Sequence, residues 1–370
     1  LKKIIVIGGG LAGLVSSICL ARAGVNCVLL EKKKYPFHRV CGEYISNETT
    51  PFLKSMGLFP TEFNPPQINQ FLLSSTSGRQ KSIPLPLGGF GISRFNFDHF
   101  LYHKAVDAGV DCRLLTDVLD VRYVEGKFFV KTENSEIDAD IVIGSFGKRS
   151  RLDVSLHRDF IKKRSPYVGV KYHVRTDHPN HLISLHNFQG GYCGISKVEN
   201  DIANLCYLTH RDNLKTYGSI PEMEQVVLFK NPLLKSIFEN SEFLLDAPET
   251  INEISFETKS PVENHMLMAG DSAGMITPLC GNGMAMAIHA AKILSSLILK
   301  HVSDKTFTTD VLEKTYAQQW QKQFAVRLWN GRQIQKLFGS NWASSVAVNL
   351  AIYVGPVANM MVRASHGKSF

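Results

Sequence analysis

The sequence predicts an α/β protein: a parallel-sheet domain assembled from separated stretches, a second domain built on an antiparallel sheet, and a helical C-terminal region. Three observations carry this. The chain opens with a short apolar run, a glycine turn, an apolar helical stretch and a second apolar run, which is a βαβ unit with parallel strands. From about 166 to 256 strand-like runs alternate with turns, with Gly190, Gly191 and Gly194 among them, the pattern of an antiparallel sheet. Residues 308–370 read as largely helical.

Size and composition agree. The 370 residues suit two interlocked domains. With 44% hydrophobic and 20% charged residues, the chain has the balance of a globular protein with a sizeable core. The net charge of +8 comes from scattered residues and short runs such as Lys32-Lys33-Lys34, and no nucleic-acid-binding module stands out. The seven cysteines (Cys19, Cys27, Cys41, Cys112, Cys193, Cys206, Cys280) are odd in number and form no CxxC pair. Neither a disulfide framework nor a zinc site is expected, and a reducing cytoplasm is the expected location. Lys2-Lys3 lead straight into the first strand, so no signal peptide is expected. No run of about eighteen apolar residues marks a membrane span.

In order along the chain, residues 3–7 form a buried strand, Gly8-Gly9-Gly10 the turn, and 11–23 a helix closed by Gly24. Residues 25–30 form a second strand that ends at Glu31. Prolines punctuate 32–92, a helix is expected over 97–108 before Gly109, and strand-like runs lie near 112–123, 127–132 and 140–143. Residues 266–270 make a further strand ending at Asp271, and a helix runs from about Gly283 to Lys300.

Gly8-x-Gly10-x-x-Gly13 has the spacing of a dinucleotide fingerprint. Gly8 permits the tight turn, Gly10 lets a pyrophosphate approach the backbone, and Gly13 lets helix pack on sheet. Leu11 and Ala12 open the helix, whose free N–H groups favour phosphate. Glu31 stands where a carboxylate accepts both ribose hydroxyls, with Lys32 beside it. Far downstream, Gly270-Asp271 closes a strand, and Pro278, Gly281, Gly283 and Met284 lead into a helix. One dinucleotide reaches both places only if it is long and extended, which points to FAD, with the late Asp on the ribitol and the helix N-terminus at the flavin. No second GxGxxG follows a strand, so NAD(P)H, if it is the electron donor, binds transiently.

These stretches, with Arg94-Phe95-Asn96-Phe97-Asp98 and Leu101, resemble the flavoproteins of the p-hydroxybenzoate hydroxylase fold. Within that fold the chain is most similar to the geranylgeranyl reductase group, through Arg39-Val40-Cys41-Gly42-Glu43. The resemblance covers roughly residues 1–300. It implies a Rossmann-like FAD-binding domain from residues 1–60, 94–150 and 257–300, a substrate domain from 61–93 and 151–256, and C-terminal helices from 301–370. It also implies cofactor roles for Arg39, Gly42, Arg94 and Val118. Cys41 would lie by the flavin and protonate carbon while flavin N5 delivers hydride, with Tyr192 as a second candidate donor. Glu43 and Arg39 stand near enough in sequence to shift the Cys41 thiol either way.

Three departures separate the chain from other branches of the fold. Phe146 stands where the hydroxylases carry Asp, and Gly191-Tyr192-Cys193-Gly194-Ile195-Ser196 lacks the paired tryptophans of flavin halogenases. Tyr192 matches the Tyr of the archaeal prenyl-reductase stretch, but that stretch's Trp and Pro are missing. His99 and His103, and the group His173, His178, His181 and His186, match no metal motif. The apolar stretch 343–362 suits a packed helix pair, a lid, or a weak contact with a membrane surface. The expected function is a geranylgeranyl reductase-like reductase or dehydrogenase of a lipophilic, isoprenoid or polyketide-like small molecule. The alternatives are an NAD(P)H-dependent monooxygenase of an aromatic or phenolic substrate, and a flavin electron carrier without turnover.

Overall fold

The structure is a computed structural model that describes residues 2–277, 281–337 and 367–370. A six-stranded sheet runs in the order Val262–Glu263, Met266–Met268, Ile141–Gly144, Lys3–Ile7, Asn26–Leu30, Asp111–Arg113. All neighbours in it are parallel except the edge hairpin of Val262–Glu263 and Met266–Met268. Ile4, Ile5 and Val6 are fully buried, as a parallel strand covered on both faces requires. Helix Leu11–Arg22 contacts both helix Arg94–Asp107 and helix Gly283–Ser303. It ends as expected: Gly24 has φ +78° and Val25 N donates to Leu20 O.

The helix expected over 97–108 begins earlier, at Arg94, because the Ser93 hydroxyl caps it by accepting from Asn96 N. The single run expected near 112–123 is two strands. Asp111–Arg113 edges the first sheet, whereas Val118–Val124 starts a three-stranded sheet with Lys127–Thr132 and Glu136–Ala139. Leu115, with φ +52°, turns the chain between them.

The nine-stranded sheet runs Glu242–Phe243, Tyr167–Arg175, Ala203–His210, Gly191–Lys197, Leu182–Phe188, Gln67–Ser74, Gln80–Gly91, Tyr44–Ser46, with Glu249–Asn252 also on Tyr167–Arg175. Its pairing is antiparallel apart from Gln67–Ser74 with Leu182–Phe188, which is parallel. Tyr44–Ser46, near the N-terminal glycine turn in sequence, therefore belongs to this sheet.

The region 166–256 is not all strand and turn. Helices Arg211–Tyr217, Ile220–Val227 and Pro232–Glu239 interrupt it. The signals were local: Ser219 and Asn231 are side-chain N-caps, each followed by a first-turn proline. Ile220, Met223 and Val227 repeat at helical spacing and pack, with Leu234 and Phe238, on Val168, Val170, Tyr172 and Val174. Strand Tyr167–Arg175 thus spends one face on these helices. Its other face brings Gly169 to the cavity between the sheets and turns Lys171 and His173 onto Glu43, which leads into strand Tyr44–Ser46.

Helix Gly283–Ser303 has the length and apolarity to cross a membrane, but 67% of its most apolar window is buried inside the protein. Helix Thr309–Leu337 braces the turn before it: Tyr316 Oη donates to Met268 O at 2.5 Å, and Trp320 lies on Gly274. The stretch 343–362 lies outside the described residues.

Candidate cofactor and active site

The glycine turn sits at the carboxyl end of strand Lys3–Ile7. Gly8 has φ +99°, and a Cβ there would stand 2.5 Å from Ser145 O. A Cβ on Gly13 would stand 2.0 Å from Gly8 O. Gly9 is equally constrained, because Tyr35 Oη donates to its carbonyl at 2.5 Å and fills the space beside it. Gly10 differs: the nearest atom to its Cβ position is Arg94 Nη2 at 3.8 Å, and no side chain caps the helix there. The turn is packed everywhere except where a ligand would approach.

Glu31 is buried at the end of the second strand, accepting from Gly9 N at 2.7 Å and Lys33 N at 2.9 Å. Lys32 is exposed at the rim. Arg94 and Asp98 form a near-bidentate pair, with Nε–Oδ1 2.6 Å and Nη2–Oδ2 2.7 Å. The fork expected to reach a cofactor is therefore taken by Asp98, and the guanidinium also contacts the Cys41 sulfur. Arg39 is less committed. Its Nε bonds Asp98 at 3.0 Å and its guanidinium carbon lies 4.4 Å from the Phe37 ring centroid, while its buried Nη2 stands 3.5 Å from Glu31 Oε2 and has no hydrogen-bond partner among the described residues. A buried, unmet guanidinium donor suits an anionic ligand.

Opposite, Gly270 approaches Ala12 and Ala287, bringing Asp271 to the helix pair. Burial raises the Asp271 carboxyl, while Lys259 and Arg94 pull the other way. Lys259 Nζ ties the Lys148 and Asp271 carbonyls together at 2.7 and 2.8 Å. Gly281 has φ +61°, and helix Gly283–Ser303 begins directly after with Met284 buried. Pro278 lies outside the described residues.

Between the sheets lies a cavity of about 650 Å³. Its walls include Gly8, Gly10, Leu11, Ala12, Glu31, Lys32, Arg39, Gly42, Arg94, Val118, Gly270, Asp271, Gly281, Gly283 and Met284, as well as Cys41 and Tyr192. Gly13 is absent from the wall because it is spent on packing against Gly8. Phe146 lines the cavity in place of an acid. The wall from the larger sheet is apolar, with Phe71, Leu73, Ile83, Leu85, Leu185, Leu208 and Ile254, and Tyr192 packs among them. His99 and His103 bring their Nε2 atoms to 2.9 Å on the helix surface and do not line the cavity.

Cys41 stands where the polar and apolar walls meet. Burial raises its thiol above the ordinary value, Arg94 lowers it, and Glu43 raises it. In the sequence Glu43 is only a neighbour of Cys41; in the fold it is a buried hub. Glu43 is fully buried, with its Oε1 beside Lys171 Nζ at 2.5 Å and its Oε2 beside His173 Nε2 at 2.7 Å. Oε1 also accepts from Arg94 N at 2.8 Å. Burial alone would raise this carboxyl; Lys171 and then His173 override it and hold it at about 2. His38 carries no motif in the sequence; it is half-buried, stacks on Phe95 at 4.7 Å, and keeps Nδ1 buried without a hydrogen-bond partner among the described residues. Cys206 was not singled out either, and it faces Cys41 from strand Ala203–His210. A lysine and a histidine two apart on an apolar strand were the available signal for Lys171 and His173.

A pyrophosphate-sized approach at Gly10, a ribose-side carboxylate at Glu31, an unmet Arg39 donor, and a second helix N-terminus at Gly283 define a dinucleotide-binding flavoprotein site. The chain belongs to the FAD binding domain family, whose model matches residues 2–322. It is an FAD-dependent oxidoreductase. Digeranylgeranylglycerophospholipid reductase 2 of Methanopyrus kandleri is 26% identical over 90% of this chain and 86% of its own length. Among solved structures, the geranylgeranyl bacteriochlorophyll reductase-like protein of Thermoplasma acidophilum aligns with TM-score 0.77 and 15% identity, covering 98% of this chain and 96% of its own. The flavin-dependent brominase Bmp2 aligns with TM-score 0.78 and 16% identity, over 98% and 93%. At these identities the solved structures speak to the fold alone.

Proposed function

We propose that the protein reduces a carbon–carbon double bond in a lipophilic, isoprenoid-like small molecule. The observation that carries this is the two-sided cavity: an apolar wall from Phe71 to Ile254 meets a polar wall at Cys41. An apolar chain gains by burial against the first wall, about 25 cal/mol per Å² removed from water, while its reactive carbon rests at the second. The reductase named for the Methanopyrus relative supports the isoprenoid class.

FAD, when bound, supplies two-electron hydride chemistry. Gly10 and the N–H groups of helix Leu11–Arg22 would receive the pyrophosphate, Glu31 the ribose, and Gly270-Asp271 with helix Gly283–Ser303 the flavin end. Arg39 would neutralise phosphate charge with its unmet Nη2. Cys41, kept as a thiol by burial, would give the proton that completes the reduction. Tyr192 is a second donor candidate, and the apolar wall around it excludes water. The reductant is proposed to be NAD(P)H bound transiently, and the setting a cytoplasm with contact at a membrane surface.

The test is anaerobic turnover of the FAD-loaded protein with a polyprenyl alkene and NADPH or dithionite. A product heavier by two hydrogens is expected. A product that gains oxygen only in air replaces this reading with monooxygenation; one that gains halogen when halide and air are supplied replaces it with halogenation.

A further inference from the structure

Three elements converge on Cys41. The Cys41 thiol takes a backbone hydrogen bond from Glu43 on its own loop and touches the Arg94 guanidinium from helix Arg94–Asp107. Asn204 Nδ2 of strand Ala203–His210 holds the Cys41 carbonyl at 3.0 Å. The Glu43 side chain closes the arrangement. Its carboxylate accepts the Arg94 backbone N–H, and its other contacts, Lys171 and His173, come from strand Tyr167–Arg175. Glu43 itself has φ +54°, a left-handed conformation that a non-glycine residue adopts only where its surroundings impose it.

The charges facing Cys41 can be named by element. Its own loop supplies Glu43 and His38; the helix supplies Arg94, paired with Asp98. Strand Tyr167–Arg175 supplies Lys171 and His173, strand Ala203–His210 supplies Cys206, and Asp271 faces Arg94 from the turn before helix Gly283–Ser303. Arg94 is balanced by Asp98. Glu43 is then the anion that offsets Lys171 beside the sulfur. Without it, the buried Lys171 cation would favour the thiolate, which has no proton to give.

We propose that Glu43 is a positioning residue for Cys41: its carboxylate, clamped between Lys171 and His173, keeps the sulfur a protonated thiol oriented into the cavity. Its consequence for turnover rests on the reductase reading, but the charge effect on the sulfur does not. A proton-donating thiol must be reprotonated after each cycle, and a fixed anion beside it favours that return.

The test is the pH profile of Cys41 thiolate in the FAD-loaded protein. It is read by iodoacetamide labelling of the Cys41 peptide and by thiolate absorbance relative to Cys41→Ser, which needs no reagent access. Glu43→Gln should lower the midpoint by at least one pH unit, a tenfold gain in thiolate, and Glu43→Asp should restore most of it. An unchanged midpoint in FAD-retaining Glu43→Gln overturns the proposal. Should that variant not retain FAD, Lys171→Met removes the cation that Glu43 offsets and should raise the midpoint; no shift there overturns the proposal equally. A shifted midpoint in a protein that reduces no alkene leaves the charge coupling standing and removes only the reductase reading.

Discussion

Gly13 and Gly8 are locked together, since a Cβ on Gly13 would stand 2.0 Å from the Gly8 carbonyl oxygen. Gly10, between them, faces only open space and Arg94. The three glycines of the fingerprint therefore do two different things. Gly13→Ala should destabilise the fold by about 1–3 kcal/mol through overpacking. Gly10→Ala should leave the melting temperature of the FAD-free protein unchanged while weakening FAD at least tenfold. Thermal unfolding and fluorescence titration separate the two, and equal effects in both variants would refute the division.

Arg39 is expected to contribute to FAD affinity through Nη2. Arg39→Met keeps much of the stem that packs near Phe37 but removes the charge. A loss of about 1.5–3 kcal/mol in FAD binding is expected for a charged hydrogen bond, measured by equilibrium titration. Wild-type affinity would mean that Nη2 serves only the ion pair with Glu31.

Cys41→Ala should retain FAD and slow the chemical step by about a hundredfold, within the usual range for a lost general acid. Anaerobic single-turnover kinetics read the step directly. A wild-type rate would reduce Cys41 to packing.

Glu43 makes a prediction for acid stability. Its folded value of about 2 lies below the ordinary 4.5, so the folded state binds this proton more weakly than the unfolded chain. The stability it contributes is present above about 4.5 and is lost as the pH falls toward 2. Glu43→Gln should flatten the stability-against-pH curve across that window in chemical denaturation. A slope equal to wild type would show that the carboxylate is not held ionised.

Ile183 lines the apolar wall near the cavity rim and is not fully buried. Ile183→Trp should raise KM for a long isoprenoid several-fold with FAD affinity unchanged. A fall in FAD affinity would place this wall against the cofactor instead.

What the sequence determined by itself was the part of the site that depends on neighbours along the chain. The glycine spacing, the strand end at Glu31, and the helix starts at Leu11 and Gly283 are local patterns, and backbone geometry requires them wherever such turns occur; the strand expected over 266–270 stops at Met268, and Asp271 sits in the short helical turn Gly270–Ser272. Tertiary structure alone decided how side chains are spent. It gave the Arg94 fork to Asp98, filled the space beside Gly9 with Tyr35, and left Arg39 Nη2 unmet. It also set Lys171 and His173 on Glu43, residues about 130 positions apart, a pairing that no periodicity encodes because it exists only once strand Tyr167–Arg175 and the loop leading into strand Tyr44–Ser46 are gathered into one sheet. The three helices within 166–256 lie between these cases: their caps were written in Ser219 and Asn231, but the face they cover is defined only by the sheet beneath them.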